Sequence, residues 1–520
     1  MLKKLPIYPF LFIVYTVLLP FTSNLGQINP GFLFRPTLIG LGVTVLVFGI
    51  FWLFSKNLLR AGFLTFLVSF CLLFFGHLLN IFEKVLQIRI EYITSLYFLV
   101  VWLAIFLFVS NIQFWKVLKN PAKTTSILNL GMIFLTIASV GQILLYFGKN
   151  LISTFSEPQV VQSVENKPSS SDQYPDIYIL IMDSYGRSDV IDELYGVDNS
   201  EFLTFLEEKG FYVASQSRSN YIQTNLSISS LLNYGYVIPE NPPGTTSEFS
   251  DYIKKTIMDN KLFSFLQEKG YTTVALQSEY SVTEIQNADI YFQSNIGFND
   301  IERLMITNSV LNLELSIRTK LFYQGHRQRL FYNFDKLKTL PILPGPKVVF
   351  AHLLLPHPPF IFDQEGNPVK ITRSYTIWDG DKFEGSDEEY LTGYKNQLLF
   401  TNTLLESTIQ TIINQSSQQP IIILQGDHGP GAYLNWNSFE KSCLWERTGI
   451  LNAYYVPNTI KQELYPSITP VNSFRIILNG LFNTNFSDLE DQTYFSSSAN
   501  LSMPDITLLI EDKKSCPVSP

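Results

Sequence analysis

Hydrophobic positions follow two different patterns along this chain. The first 150 residues contain long apolar stretches, whereas residues 175–520 alternate short apolar runs with polar segments. Most of the long stretches approach the roughly 20 residues that a helix needs to cross a bilayer. They cover residues 7–21, 38–54, 61–79, 92–109 and 126–147. The pattern predicts an α-helical membrane domain with five spans at residues 1–150.

The orientation of these spans is predicted from the basic residues between them. The first stretch is short enough for a cleaved signal peptide, but no convincing small-residue cleavage site follows it, which favours an uncleaved helix. Most basic residues lie in loops that share one side of the membrane, although Lys84 and Arg89 on the other side dilute the contrast. The shared loops carry Lys3, Lys4, Lys56, Arg60, Lys116, Lys119 and Lys123. Basic loops are usually cytoplasmic, so the N-terminus is expected inside and everything after residue 147 outside the cytoplasm.

The outer part begins with a predicted linker at 151–174, which is polar and has no apolar period. Beyond it, a sequence pattern that predicts a helix, a glycine and a strand occurs twice, at 202–215 and 262–275. The alternation predicts an α/β domain at 175–520, with a buried central sheet and helices on both faces. Residues 278–340 give no firm pattern. The predicted strands are 177–182, 211–214, 347–354, 421–425 and 450–456, and the predicted helices are 199–209, 226–233 and 390–415.

Composition supports a membrane protein and limits the partners. Apolar residues make up 46% of the chain and charged residues only 16%, below the roughly 25% charged residues of soluble proteins. The net charge of -8 argues against nucleic acid as a partner. Of the three cysteines, Cys71 lies in a predicted span, while Cys443 and Cys516 lie in the outer part. There a disulfide could persist; two free thiols are the alternative.

Polar side chains cluster where the predicted strands end. Asp183 follows strand 177–182, and Asp427 with His428 follows the apolar run 421–424. His352 and His357 lie at or just after the end of strand 347–354, so three of the five histidines share this edge. Because carboxyl ends of parallel strands meet at one edge, these side chains are expected to form a site. Carboxylates and imidazole suit a metal ion; an ordinary polar turn is the alternative for Asp427 and His428.

The nucleophile of such a site would be a hydroxyl near the metal. Thr224 precedes a predicted helix, whose N-terminus favours the negative charge of a phosphate. A simple helix cap is the alternative role for this threonine. Ser219 and Ser227 are weaker candidates for the nucleophile.

Four motifs together resemble a known family. LIMDSYGRSD at 180–189, the threonine before a helix, HLLLPHPPF at 352–360 and LQGDHG at 424–429 are similar to motifs of the alkaline-phosphatase superfamily. The resemblance is strongest to its membrane-anchored sulfatase-like branch, the lipoteichoic acid synthases and lipid A phosphoethanolamine transferases. It implies Thr224 as nucleophile and, as metal ligands, Asp183, Thr224, Asp427 and His428. It also implies a phosphate contact for His357 and a substrate contact for His352, with a second ion or packing as alternatives for His352. Arg187 and Arg447 are further candidates for holding an anionic substrate, with ordinary surface arginines as the alternative for both.

Two departures from this family limit the expected chemistry. No histidine follows His428, which puts a two-zinc site in doubt. The Cys/Ser-x-Pro-x-Arg signature that yields formylglycine is absent from residues 217–233, so sulfate-ester hydrolysis by that route is not expected.

The sequence and the resemblance together predict a metal-dependent transferase at the cell membrane. It would move a phospho-headgroup from a phospholipid donor to a glycan or lipid acceptor through a phospho-threonine intermediate. The divalent metal would be zinc or manganese; magnesium remains open, although the imidazole of His428 disfavours it. The alternatives are a sulfatase-like hydrolase that uses water as acceptor, and a non-catalytic membrane scaffold that retains the fold.

Overall fold

The computed structural model contains two compact units. One consists of Met1–Lys167 with Gly297–Phe322, and the other of Pro168–Ile296 with Tyr323–Pro520. The residues described are 5–23, 25, 30–77, 81, 100–101, 104, 120–156, 174–237, 245–294, 298–310, 315–371, 373, 375–497, 501–513 and 515–517.

Four helices make up most of the described N-terminal unit: α1 (Tyr8–Thr22), α2 (Phe34–Ser55), α3 (Leu58–Leu73) and α4 (Pro121–Ser156). Among the described residues, two segments are long and apolar enough to cross a membrane, Pro30–Ser55 and Pro121–Gly148. Helices α1 and α3, with 15 and 16 residues, fall short of the length that a bilayer requires. The expectation of five full spans is corrected to these two clear spans; the predicted span 92–109 lies almost entirely outside the described residues.

A segment from the second half of the chain belongs to the N-terminal unit. It carries α10 (Asp300–Thr307), where Glu302 forms an ion pair with Arg35. The backbone N–H of Gly76 donates to the carbonyl of Asn308 at 2.9 Å. A Cβ on Gly76 would lie 2.7 Å from the backbone of Asn308, so only glycine permits this approach. No hydrophobic pattern predicted this packing, and the domain boundary at residue 175 stays a prediction.

A seven-stranded sheet forms the centre of the second unit, in the order β2-β7-β6-β1-β5-β3-β4. The neighbours from β6 to β4 pair in parallel, whereas β7 is antiparallel to both β6 and β2. The sheet is therefore mixed. Its strands are β1 (Ile177–Met182), β2 (Tyr212–Val213), β3 (Thr272–Leu276), β4 (Ile290–Phe292), β5 (Lys347–Leu353), β6 (Ile421–Gly426) and β7 (Asn452–Tyr455).

The central strands β1, β5 and β6 are buried along their whole length because both faces of the sheet are covered. Successive β1 residues join opposite cores: Tyr178 and Leu180 lie in one, and Ile177 and Ile179 in the other. This arrangement matches the predicted α/β architecture. The remaining helices are α5 (Ser188–Tyr195), α6 (Ser200–Glu208), α7 (Thr224–Leu232), α8 (Thr246–Met258), α9 (Lys261–Glu268), α11 (Leu315–Thr339), α12 (Asp387–Gln415), α13 (Leu444–Thr448), α14 (Asn458–Lys461) and α15 (Pro470–Phe482).

Candidate active site

Strand register brings the site residues to one edge of the sheet. Met182 of β1 pairs with Leu353 of β5 and Gly426 of β6, so the chain leaves all three strands at the same level. Asp183 and Asp427 are the next residues of their strands. The turn after β1 is unusual because Ser184, which is not glycine, has a φ of 65°. Such left-handed backbone persists where surrounding contacts fix it.

Three predicted ligands and the predicted nucleophile meet at this edge. Potential ligand atoms of Asp183, Asp427 and His428 lie within 4.8 Å of one another, and all three residues are buried. The Nε2 of His428 lies 3.6 Å from Oδ1 of Asp183 and 3.3 Å from Oδ2 of Asp427. Thr224 is the first residue of α7, and its Oγ1 lies 3.0 Å from the same Nε2.

The donor set fits a divalent cation. Oδ1 of Asp427 accepts hydrogen bonds from the backbone N–H groups of Ser184 and His428, at 3.0 and 2.9 Å. Oδ2 of the same carboxylate is buried with no hydrogen-bond partner among the described residues. A buried carboxylate oxygen without a donor is costly, and a second carboxylate, Asp183, lies beside it. A cation bound by Asp183, Asp427, His428 and the Thr224 hydroxyl would satisfy these oxygens.

His428 presents a lone pair to this cluster. Its Nδ1–H donates to the carbonyl of Gly429 at 2.9 Å, which leaves Nε2 unprotonated. Burial, and then the charge of Arg447, lower the pKa of His428 below its ordinary value. The ring is therefore neutral near pH 7 and able to bind a metal.

The Asp183 carboxylate is held in its ionised form. Burial alone would raise its pKa, but the neighbouring histidines more than offset this effect and leave the pKa of Asp183 below its ordinary value. They act in the order His357, His352 and His428. An anionic ligand is thus present at neutral pH without a bound ion.

His357 and Arg447, two of the candidates for substrate contacts, border the cluster. The Nδ1–H of His357 donates to the Pro358 carbonyl at 2.5 Å, and its Nε2 lies 4.0 Å from Oδ1 of Asp183. Arg447 is 1% exposed, and its Nη2 lies 3.2 Å from Nε2 of His428. Both side chains are therefore placed to meet an anionic group at the cluster.

Arg187 and His352 lie differently from the sequence expectation. The guanidinium of Arg187 donates to both oxygens of Asp189, at 2.6 and 2.9 Å, and to the Ser217 carbonyl at 3.1 Å. None of its described side-chain contacts is with the cluster, so the expected substrate contact finds no support. His352 touches Asp183 rather than open space, with its Nε2 3.4 Å from Oδ2.

Sequence reasoning missed two residues at this site. Asp379 is 1% exposed, and its Oδ2 lies 2.6 Å from Nη1 of Arg447 and 3.7 Å from Nε2 of His357. Burial, and then the carboxylates of Asp183 and Asp427, raise the pKa of Tyr280 to about 12. Both residues lie in loops away from the predicted strand ends. The WDGD stretch around Asp379 was the one available signal, and it reads as an ordinary turn.

A disulfide joins Cys443 to Cys516, which settles the alternatives left open by the sequence. Cys443 immediately precedes α13, the helix that carries Arg447. The bond therefore ties a C-terminal segment to the element that supports the site. Beside it, the Lys513 ammonium lies 3.3 Å from the ring centroid of Trp445.

Comparison with known proteins identifies a family for the second unit. A family model described as sulfatase matches residues 175–474. No protein of curated function matches the sequence.

Several solved structures are similar to this chain at low identity. The periplasmic domain of EptC from Escherichia coli is 12% identical, with a TM-score of 0.41 over 65% of this chain and 94% of that one. The lipooligosaccharide phosphoethanolamine transferase A from Neisseria meningitidis is 13% identical, with a TM-score of 0.40 over 93% and 95%. A putative sulfatase from Bacteroides thetaiotaomicron is 13% identical, with a TM-score of 0.35 over 62% and 74%. These values are too low to assign an activity.

Proposed function

Because this chain belongs to the sulfatase family, we propose that its strand-end cluster is the active site of a metal-dependent transferase. The enzyme moves a phospho-headgroup from a membrane phospholipid to a glycan or lipid acceptor. The proposal includes a membrane-spanning N-terminal part, a cytoplasmic N-terminus and an extracytoplasmic catalytic domain. Anchoring of this kind keeps the site near its lipid donor.

One observation carries the proposal: the Thr224 hydroxyl lies 3.0 Å from Nε2 of His428, beside two buried carboxylates. A threonine that only capped its helix would accept from the backbone of the first turn. Here Gln223 is the cap residue, and Thr224 is already helical. Its side chain is thus free for chemistry, while the N–H groups of the first turn of α7 favour an anionic phosphoryl group.

Each residue has a proposed role. Asp183, Asp427 and His428 hold a divalent cation, zinc or manganese. When bound, the cation lowers the pKa of a coordinated hydroxyl and offsets charge at phosphorus. The oxygen of Thr224 attacks the phosphorus and the bond to the diacylglycerol oxygen breaks. The proton released by the Thr224 hydroxyl is balanced by the proton that the leaving diacylglycerol oxygen takes up, and the headgroup phosphate remains on Thr224. His357 and Arg447 contact the phosphoryl oxygens. An acceptor hydroxyl then takes the group and frees the threonine.

The test is trapping of the phosphorylated threonine. Full-length protein in vesicles that contain headgroup-labelled phospholipid is quenched in acid without an acceptor, and its peptides are analysed by mass spectrometry. The label is expected on Thr224, with diacylglycerol released in equal amount. Thr224→Ala should remove both signals. Thr246→Ala is the matched control, because Thr246 is also the first residue of a helix, α8, and is exposed.

The other outcomes discriminate the alternatives. Normal headgroup release by Thr224→Ala would exclude this threonine as nucleophile. Label on Thr224 that passes to water, even with glycans and lipids present as acceptors, would identify a hydrolase. Full-length protein that binds no zinc or manganese would support a non-catalytic scaffold.

A further inference from the structure

His352 contacts one particular oxygen of Asp183. It lies in β5 opposite Ile181 of β1 and is 1% exposed. Its Nε2 is 3.4 Å from Oδ2 of Asp183, and this nitrogen has no other partner among the described residues. The other oxygen, Oδ1, lies 3.6 Å from Nε2 of His428. The two oxygens of Asp183 thus face different histidines, and only Oδ1 faces the one that belongs to the ligand cluster.

The groups that contact its two ring nitrogens assign the tautomer of His352. Oγ1 of Thr283 lies 2.8 Å from Nδ1 of His352 and 3.0 Å from the carbonyl oxygen of Tyr280. That carbonyl already accepts from the backbone N–H of Thr283 at 2.9 Å and from Oγ of Ser278 at 3.1 Å. Oγ of Ser278 also lies 3.2 Å from Oγ1 of Thr283, so its hydrogen has two acceptors within reach. The Asp183 carboxylate beside Nε2 can only accept, so Nε2 carries the ring hydrogen and Nδ1 accepts from the Thr283 hydroxyl.

The loop that presents Thr283 is held in a strained shape. Glu279 has a φ of 86° although it is not glycine, and its backbone N–H donates to Oε1 of Glu284 at 3.1 Å. The carboxylate of Glu279 binds two buried residues of α11: His326, with Nδ1 2.5 Å away, and Arg329. Backbone strain of this kind persists where the surroundings over-determine it, often at functional sites.

We propose that Thr283 and His352 are positioning residues for the metal ligand Asp183. Thr283 fixes the His352 ring so that Nε2–H is directed to Oδ2, which leaves Oδ1 turned toward the cation. Outer hydrogen bonds of this kind orient ligands and strengthen metal binding. The inference rests on the proposed function, since it requires the cluster to bind a metal. It replaces the substrate contact expected from the sequence for His352.

The experiment measures metal affinity rather than activity. Full-length protein in detergent is stripped of metal and titrated with zinc or manganese in competition with a chromophoric chelator. Thr283→Val keeps the shape but removes the donor, and it should weaken binding roughly 10- to 100-fold. Thr283→Ser retains the hydroxyl and should bind nearly as tightly as the unaltered protein. Thr408→Val is the control, because it removes a similarly buried hydroxyl from α12, whose Oγ1 donates to the Leu404 carbonyl at 2.8 Å, within the same helix.

Two changes of His352 keep the test informative if the valine variant fails to fold. The amide N–H of His352→Gln reaches about as far as Nε2–H and should preserve most of the affinity. His352→Asn is too short to reach Asp183 and should lose affinity as Thr283→Val does. Equal affinities for the Gln and Asn variants, or for Thr283→Val and the unaltered protein, would overturn the positioning role.

Metal stoichiometry separates this inference from the proposed function. One ion per chain, bound weakly by Thr283→Val, supports both. Two ions per chain, with one lost in His352→Gln, would make His352 a ligand and overturn the positioning role alone. No bound ion in the unaltered protein would overturn the proposed function itself.

Discussion

Arg447 and Asp379 form a buried ion pair beside the ligand cluster, with Nη1 and Oδ2 2.6 Å apart and both side chains 1% exposed. The same guanidinium donates through Nε to the Ile222 carbonyl at 2.9 Å and through Nη1 to the Gly429 carbonyl at 3.2 Å. One arginine thus joins the loop before α7, the turn after β6 and the loop that carries Asp379. These segments support Thr224, His428 and the site edge, so the pair stabilises the site as a whole.

The first prediction concerns this pair. Asp379→Asn keeps the shape of the side chain but leaves the Arg447 charge buried and uncompensated. Breaking a buried pair in this way costs roughly 3–5 kcal/mol. Urea unfolding of the protein in detergent micelles, followed by intrinsic fluorescence, should show a loss of this size in the free energy of unfolding.

An exposed ion pair provides the control. Glu511, whose side chain is 72% exposed, lies 3.7 Å from Arg218. Glu511→Gln should leave the free energy of unfolding almost unchanged, because solvent screens such pairs. If the two variants lost equal stability, the Arg447–Asp379 pair would have no special structural role.

The second prediction concerns the disulfide. Cys443 and Cys516 are 73 residues apart in sequence, and closing a loop of this length stabilises a fold by about 4 kcal/mol through the unfolded chain. Cys516→Ser should lower stability by a comparable amount. It should also reduce headgroup release, because α13 loses an anchor next to Arg447. Unfolding and release assays on the same protein preparation measure both effects.

Cys71, which is buried and is not part of the disulfide, gives the matched comparison. Cys71→Ala should respond to a reducing agent as the unaltered protein does, with the same loss of stability. The free energy of unfolding of Cys516→Ser should not change when the reductant is added. A reductant that destabilised all three proteins equally would show that the bond contributes nothing.

The third prediction is a pH dependence of stability. Burial is the main cause that raises the pKa of Glu446 to about 7 from 4.5. Its carboxylate binds the Tyr195 hydroxyl and accepts from the backbone N–H of Tyr433 at 3.0 Å. Between pH 4.5 and 7 the folded protein holds a proton that the unfolded chain releases. Stability should therefore fall as pH rises through this window, by on the order of 3 kcal/mol in total.

Glu446→Gln mimics the protonated carboxyl and cannot titrate. The variant should lose this component of the pH dependence and be more stable than the unaltered protein at pH 8. Unfolding free energies at several pH values from 4 to 8 measure both effects. A pH profile that the substitution leaves unaltered would assign the dependence to other groups.

The hydrophobic pattern predicted the fold because a strand that is buried on both faces of a sheet is apolar along its whole length. The run from Ile421 to Leu424 and the run IYILIM of β1 are apolar throughout, and both strands lie where the pattern predicted them. No such hydrophobic pattern predicted the packing of α10 with the N-terminal helices. This packing combines an ion pair, Arg35 with Glu302, a close approach at Gly76 and an apolar cluster that includes Phe21 and Ile301. Single long-range contacts of this kind have no period.

The cluster was predictable for a related reason. Asp183, Asp427 and His428 follow parallel strands directly, so the sheet brings them together without further information. Asp379 and Tyr280 reach the same edge from loops, whose course depends on tertiary contacts that sequence does not encode locally. Their positions follow from partners such as Arg447.

The fourth prediction distinguishes two effects of the ligand cluster on stability. Its carboxylates repel each other in the metal-free protein, and they stabilise the fold when they bind a metal. In the metal-free protein the ionised Asp183 and the unpartnered Oδ2 of Asp427 lie close together and repel each other. Asp427→Asn removes this repulsion, so its metal-free form should melt at a higher temperature than the unaltered metal-free protein. The order should reverse with metal, since ligand at 100 times its Kd stabilises the unaltered protein by about 2.7 kcal/mol, and the variant binds it poorly. Thermal unfolding with and without zinc measures this crossover, and Asp251→Asn, an exposed change on α8, should show none.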